Sequence, residues 1–179
     1  NPGVKVQIEL YGDGFDDIVL GAKDAPDQLW ADLPGYGYAA VNRDAKNRWQ
    51  QVMADYLQSR EPLRGVVQMI DSRHGFTDLD RQLLDFMAER IHAGEISLLV
   101  LLTKADKLNR KEQAAVLRQT QELLASYALT DEADIGVALF SALKGQGVAD
   151  AARQLMEWRG APVAVSGPAQ EQIDGAPAA

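Results

Sequence analysis

The run "ISLLVLL", from Ile96 to Leu102, constrains the fold more than any other stretch of the chain. Side chains of a strand point alternately to opposite faces, and here neither set can face water. A strand apolar on both faces is a central strand of a parallel sheet covered by helices on both sides. The rest of the chain supplies its partners. "GVVQMID" (Gly65 to Asp71) and "IGVALF" (Ile135 to Phe140) read as further strands, the former buried. "VKVQIELY" (Val4 to Tyr11) and "QLWAD" (Gln28 to Asp32) precede them, and the Gly- and Asp-rich residues 12–26 are expected to contain the connection of an antiparallel pair.

Helical periodicity fills the gaps between strands. Trp49, Val52, Met53 and Tyr56 share a face of a helix over about residues 44–59. Thr77 with Asp80 forms a capping-box pattern ahead of the stripe Leu79, Leu83, Met87 and Ile91. Asn109 with Glu112 opens a helix carrying Val116, Thr120, Leu123 and Tyr127, and Val148, Ala151, Leu155 and Trp158 mark the last one. The expected class is α/β in three layers with a mostly parallel sheet. At 179 residues the chain is the size of one domain. That domain is assigned to residues 1–159, and the Ala-, Gly- and Pro-rich residues 160–179 are expected to be a flexible tail.

Composition narrows the function. The absence of cysteine excludes disulfides and thiolate metal sites and leads to the expectation of a cytoplasmic protein. A formal net charge of -8 argues against general polyanion binding, which rests on neutralising phosphates with Lys and Arg. No apolar run approaches the roughly 18 residues of a membrane span. The chain is expected to act as a monomer, and its start, "NPGVKVQ", without Met or a signal-peptide pattern, leads to the expectation of an N-terminally incomplete domain.

Three polar clusters follow strands directly: "DLPG" (Asp32 to Gly35), "TKAD" (Thr103 to Asp106) and "SALK" (Ser141 to Lys144). In a parallel sheet the carboxyl ends of the strands meet at one edge, where ligands bind. Asp106 can accept two hydrogen bonds from a planar N–H pair, which the N1–H and N2–H groups of guanine provide and adenine does not. A site that leaves its acceptor unpaired with the wrong base discriminates by about 10⁴ or more. The aliphatic stem of Lys104 can lie along one face of a base and Lys144 over the other, while Ser141 and the Ala142 N–H can address its carbonyl. Asp32 is placed to hold a hydrated Mg²⁺, and Gly35 lets a backbone N–H approach a terminal phosphate, sensing tri- against diphosphate. Taken singly, each cluster is more commonly a turn or a solvated charge pair; their joint order and placement favour the site. His74 reads as a solvated loop residue and His92 as a partner of a helix C-terminus.

These residues resemble the EngB/YihA/YsxC family of ribosome-biogenesis GTP-binding proteins, within the TrmE-Era-EngA-EngB-Septin-like P-loop GTPases. The resemblance rests on "DLPGYGYA" (Asp32 to Ala39), "LLTKADKL" (Leu101 to Leu108), "FSALKGQGV" (Phe140 to Val148), "DSRHGFTDLD" (Asp71 to Asp80) and the helix "RWQQVMADYL" (Arg48 to Leu57). It implies a Ras-like fold that binds GTP and GDP with Mg²⁺, hydrolyses GTP and assists large ribosomal subunit assembly, and through that role cell division. Carried over, Asp32, Leu33, Pro34 and Gly35 meet the γ-phosphate and the metal, the latter through water at Asp32. Thr103, Lys104, Ala105 and Asp106 select guanine; Phe140, Ser141 and Ala142 close over the base; Tyr36, Gly37 and Tyr38 form switch II.

The chain departs from the family in two places. No G-x-x-x-x-G-K-[ST] occurs in it, so the phosphate-cradling loop and its strand are absent from the sequence given. Lys5 stands where switch I carries a metal-binding Thr. Tyr36 occupies the position of a water-orienting Gln in many GTPases, so slow intrinsic hydrolysis is expected and no catalytic residue is assigned. The competing expectation is a degenerate GTPase fold serving as a binding scaffold.

Overall fold

The structure is a computed structural model that describes residues 7–11, 17–22, 25–33 and 43–160. Its strands are β1 (Gln7–Tyr11), β2 (Asp17–Ala22), β3 (Ala25–Asp32), β4 (Gly65–Asp71), β5 (Ser97–Thr103) and β6 (Ile135–Leu139). Its α-helices are α1 (Arg43–Ser59), α2 (Asp78–His92), α3 (Arg110–Ala125) and α4 (Val148–Gly160). Among the described residues the strands form two three-stranded sheets, an antiparallel β1-β2-β3 and a parallel β4-β5-β6.

The run that opened the sequence reading is the centre of the parallel sheet, with β4 on one side from Gly65↔Ser97 to Asp71↔Thr103 and β6 on the other from Leu98↔Ile135 to Leu102↔Leu139. Leu98, Val100 and Leu102 face a core shared with Met53 and Leu57 of α1, Leu83, Leu84, Met87 and Ile91 of α2, and Leu124 of α3. The alternate residues Leu99 and Leu101 pack with Ala151 and Trp158 of α4. Helices thus cover both faces, as a two-faced apolar strand requires.

Local chemistry sets the helix ends. The Thr77 N–H donates to Asp80 Oδ2 at 2.7 Å and the Asp80 N–H donates to Thr77 Oγ1 at 3.3 Å, the expected capping box of α2. Asn109 and Glu112 make the same reciprocal pair at α3. At the far end of α1, Arg90 Nη1 donates to the carbonyls of Leu57 and Arg60 at 2.9 and 3.2 Å, pairing acceptors a helix end leaves open.

Several expectations need correction. Residues 12–26, read as containing a connection, hold a whole strand, β2, and the start of β3: "DIVLGA" is short and carries Gly21, which weakened its strand signal. β4, read as buried, has one open face, where Met69 is 62 % exposed. The stripe of α2 is wider than expected, because Leu84 is fully buried beside Leu83. On α3 the buried residues are Thr120 and Leu124, and Tyr127 lies past the end of the helix. The first three residues of the first expected strand, 4–6, and the expected tail beyond Gly160 lie outside the described residues. No helix among the described residues is long and apolar enough to cross a membrane.

Candidate functional site

Two of the three strand-end clusters meet at the carboxyl edge of the parallel sheet. After β5 the chain turns sharply at Lys104, which sits at φ 56, ψ 29, the one non-glycine residue with positive φ among those described. Such a conformation persists only where the surroundings over-determine it. They do so here. Ala105 is fully buried and begins a 3-10 turn through Lys107, with the Lys107 N–H donating to the Lys104 carbonyl at 2.9 Å. Gln113 Nε2 donates to the carbonyls of Ala105 and Leu108 at 2.8 and 3.1 Å, tying the turn to α3.

The segment after β6 is locked to that turn. The Phe140 N–H donates to the Leu102 carbonyl at 2.8 Å, and the Ala105 N–H donates to the Phe140 carbonyl at 3.1 Å. Ser141 is wholly buried, and its hydroxyl donates to Asp106 Oδ1 at 2.6 Å while accepting from the Lys144 N–H at 3.2 Å. The loop then turns back through Gly145 and Gly147. At Gly147 (φ 75) any Cβ would meet the Leu139 carbonyl, so this position requires glycine.

Between the two segments lies a cavity of about 410 Å³ lined by Met69, Thr103, Lys104, Asp106, Lys107, Phe140, Ala142 and Leu143. Its polar focus is the Asp106 carboxylate. The Ser141 hydroxyl holds that carboxyl below its usual value, with Lys107 Nζ at 3.7 Å from Oδ2 adding to the effect against partial burial. Each carboxylate oxygen has two acceptor sites, so one bond from Ser141 leaves Asp106 free to accept from a planar ligand. Phe140, Ala142 and Leu143 supply apolar surface suited to a flat ring.

Of the residues singled out in the sequence, Thr103, Lys104, Asp106, Phe140 and Ala142 line the cavity, while Ala105 and Ser141 lie buried behind it. Ser141 takes a different part from the one expected: its hydroxyl is committed to orienting Asp106. Leu143, 73 % exposed, lines the cavity where Lys144 was expected, while the Lys144 N–H is bound to the Ser141 hydroxyl. Met69 and Lys107 were not anticipated. Met69 is signalled only by alternation, since Gln68 and Ile70 on β4 face the opposite core.

The third cluster is reached only in part. Asp32 ends β3, where its backbone pairs with Ile18, and Leu33 is half-buried against the main core. The Asp32 side chain and all of Lys5, Pro34, Gly35, Tyr36, Gly37 and Tyr38 lie outside the described residues. Among the described residues no group of three His, Asp or Glu side chains is placed to hold a metal ion, so the fit of Mg²⁺ rests on no geometry here. His74 is exposed, and His92 is half-buried with an Nε2 that has no partner among the described residues.

No protein-family model matches the chain. Over 157 residues, 88% of its length, it is 49% identical to the probable GTP-binding protein EngB of Albidiferax ferrireducens, of which it covers 68%. The proteins of the same name from Acidovorax ebreus and a Polaromonas species are 51% and 46% identical over the same length, with 65% and 58% of them covered. The chain therefore spans about two thirds or less of these relatives. Among solved structures it resembles apo translation elongation factor SelB of Methanococcus maripaludis, with a TM-score of 0.52 and 17% identity over 74% of this chain and 25% of that one. A bacterial selenocysteine-specific elongation factor, EF-Sec, also matches with a TM-score of 0.52 and 17% identity, over 84% of this chain and 22% of that one. At that identity the likeness speaks to fold, and the fold is the Ras-like α/β fold expected from the sequence. Identity near one half across two thirds of a curated relative settles the family: the chain belongs to the EngB family of GTP-binding proteins.

Proposed function

We propose that the chain binds guanine nucleotide in the cavity between the segments after β5 and β6, as part of a GTP-hydrolysing switch protein. One observation carries this reading: the Asp106 carboxylate is oriented by a fully buried hydroxyl at 2.6 Å and faces a cavity whose other walls are apolar or aliphatic. An acceptor held ionised at the rim of a flat apolar slot suits a base that presents two adjacent N–H donors. Leu143 and Phe140 supply surface for the ring, and the Lys104 stem covers it from the side of β4. The name GTP-binding protein, borne by relatives of which this chain covers up to 68%, supports the same reading.

The phosphate side of the site is assigned by the sequence pattern. In this reading Asp32 to Gly35 meet the terminal phosphate, Tyr36 to Tyr38 move with it, and Mg²⁺ accompanies the phosphates through water at Asp32. When bound, that ion would neutralise phosphate charge, and no step here is derived from it. The partner is proposed to be the large ribosomal subunit or its precursors, with normal cell division depending on that role. The protein is proposed to act in the cytoplasm as a monomer.

The test is competition against a fluorescent GDP on the full chain. GDP should displace the probe about 10⁴-fold better than ADP, the discrimination expected when a site's acceptor is left unpaired by the wrong base. Equal displacement by both would overturn the base assignment. Absence of any binding would favour the scaffold alternative. Co-sedimentation with large-subunit precursors, dependent on GTP rather than GDP, tests the partner.

A further inference from the structure

Asp71 does not line the cavity, yet it grips a residue that does. The parallel register sets Asp71 directly beside Thr103, so the chain leaving β5 turns next to its carboxylate. The left-handed turn at Lys104 sends the side chain back toward β4, and Lys104 Nζ donates to Asp71 Oδ2 at 2.9 Å. The carboxylate is itself held. Arg73 Nη2 donates to the same Oδ2 at 2.7 Å, and the Arg73 Nε and backbone N–H donate to Oδ1 at 2.9 and 3.0 Å. Arg73 also keeps Asp71 well below the usual carboxylate range, so the anchor stays ionised throughout neutral and weakly acid pH.

We propose that Asp71 is a positioning residue for the base site, fixing the Lys104 side chain along the cavity wall before a nucleotide arrives; this rests on the guanine-nucleotide reading above. An exposed Lys–carboxylate pair ordinarily contributes little, because two flexible side chains must be ordered to make one contact. Here Arg73 has already ordered the carboxylate, and only Lys104 remains to be immobilised. Its lost rotamer freedom is then charged to the free protein and not to binding, which is the general advantage of preorganisation. The plainer role for Asp71 is closing the turn that follows β4, since its carbonyl accepts from the His74 and Gly75 N–H groups at 3.0 Å each. Those bonds involve the backbone and survive replacement of the carboxylate, so the two roles separate experimentally.

The experiment uses the full chain with Asp71→Asn, Lys104→Met, the double variant, and Arg73→Ala as an independent way to loosen the anchor. Release of fluorescent GDP should quicken about tenfold in Asp71→Asn and about threefold in Arg73→Ala, while the double variant should stay within about twofold of Lys104→Met alone. In nucleotide-free protein, Lys104 should acylate severalfold faster in Asp71→Asn, read by mass spectrometry, because its amine is released from the carboxylate. An undiminished effect of Asp71→Asn in the Lys104→Met background, or an unchanged acylation rate, overturns the proposal and assigns Asp71 to the turn. If the wild-type chain binds no GDP while the acylation result holds, the guanine reading falls and Asp71's role in it falls too. Normal GDP binding with additive variants overturns the positioning role alone.

Discussion

The hydroxyl of Ser141 has no solvent and two neighbours, and its strongest bond, at 2.6 Å, goes to the carboxylate proposed to read the base. A hydrogen bond to a charged acceptor is about twice as strong as a neutral one, and this bond is the largest cause of the depressed Asp106 titration. With its folded-state value depressed, Asp106 keeps its acceptor form above the ordinary carboxylate value and loses it only as pH falls below that. GDP affinity should therefore stay flat from pH 8 down to about 5 and decline only in stronger acid, given an unperturbed Asp near 3.9. Ser141→Ala should weaken GDP binding about tenfold at neutral pH and move the acid decline to higher pH, read by titration of a fluorescent nucleotide. A variant whose acid limb coincides with wild type would contradict this role. Lys104, Asp106 and Ser141 were legible in the sequence because each lies within three residues of the end of a strand that its apolar run marks. The Ser141–Asp106 bond was not, because a hydroxyl two positions past a strand can point to ligand or to protein with equal ease. Nor was the grip of Asp71 on Lys104, which depends on the register between β4 and β5.

Elements were legible where their chemistry is local. The Thr77–Asp80 capping box formed as read, and Asn109 with Glu112 opens α3 as expected, since each pair joins residues three apart and needs no tertiary information. The width of the α2 stripe needed the tertiary structure: Leu84 is buried because α2 faces both α1 and the sheet, and one strict stripe addresses only one of them. Leu84→Ala should cost about 2–5 kcal/mol, the range for removing a fully buried leucine, read as a lowered urea midpoint with an unchanged slope. A smaller loss than at half-buried Leu79 would contradict its place in the core. The end of α3 is tied to α2 by the Tyr127 hydroxyl, which donates to Asp85 Oδ1 at 2.8 Å. Burial first and then this bond push the Tyr127 phenol up to about 12. A value raised on folding contributes stability that is present below the unfolded value near 10 and lost as pH rises toward the folded one. Thermal melts should thus fall between about pH 10 and 12 in wild type, and Tyr127→Phe should flatten that decline. An equally steep fall in both proteins would assign the alkaline transition elsewhere.

At the scale of the whole molecule, the two-faced strand at Ile96 to Leu102 predicted a covered parallel sheet, and β4-β5-β6 with helices on both faces is that sheet. The second, antiparallel sheet was half legible: β1 and β3 were recognised from their apolar runs, while β2, short and interrupted by Gly21, was not. Family membership joins this fold to a nucleotide-binding class, and the cavity after β5 and β6 is where the proposed base site lies. The claim on which the account depends is that Asp106 accepts from the base. Replacing it with Asn puts an amide donor where the carboxylate accepted, matching xanthine, which carries a carbonyl in place of the guanine amino group. The decisive measurement is the affinity of wild type and Asp106→Asn for fluorescent GDP and fluorescent XDP. The account predicts that the variant loses GDP about a hundredfold and gains XDP, inverting the preference. An unchanged preference for GDP in the variant would contradict it.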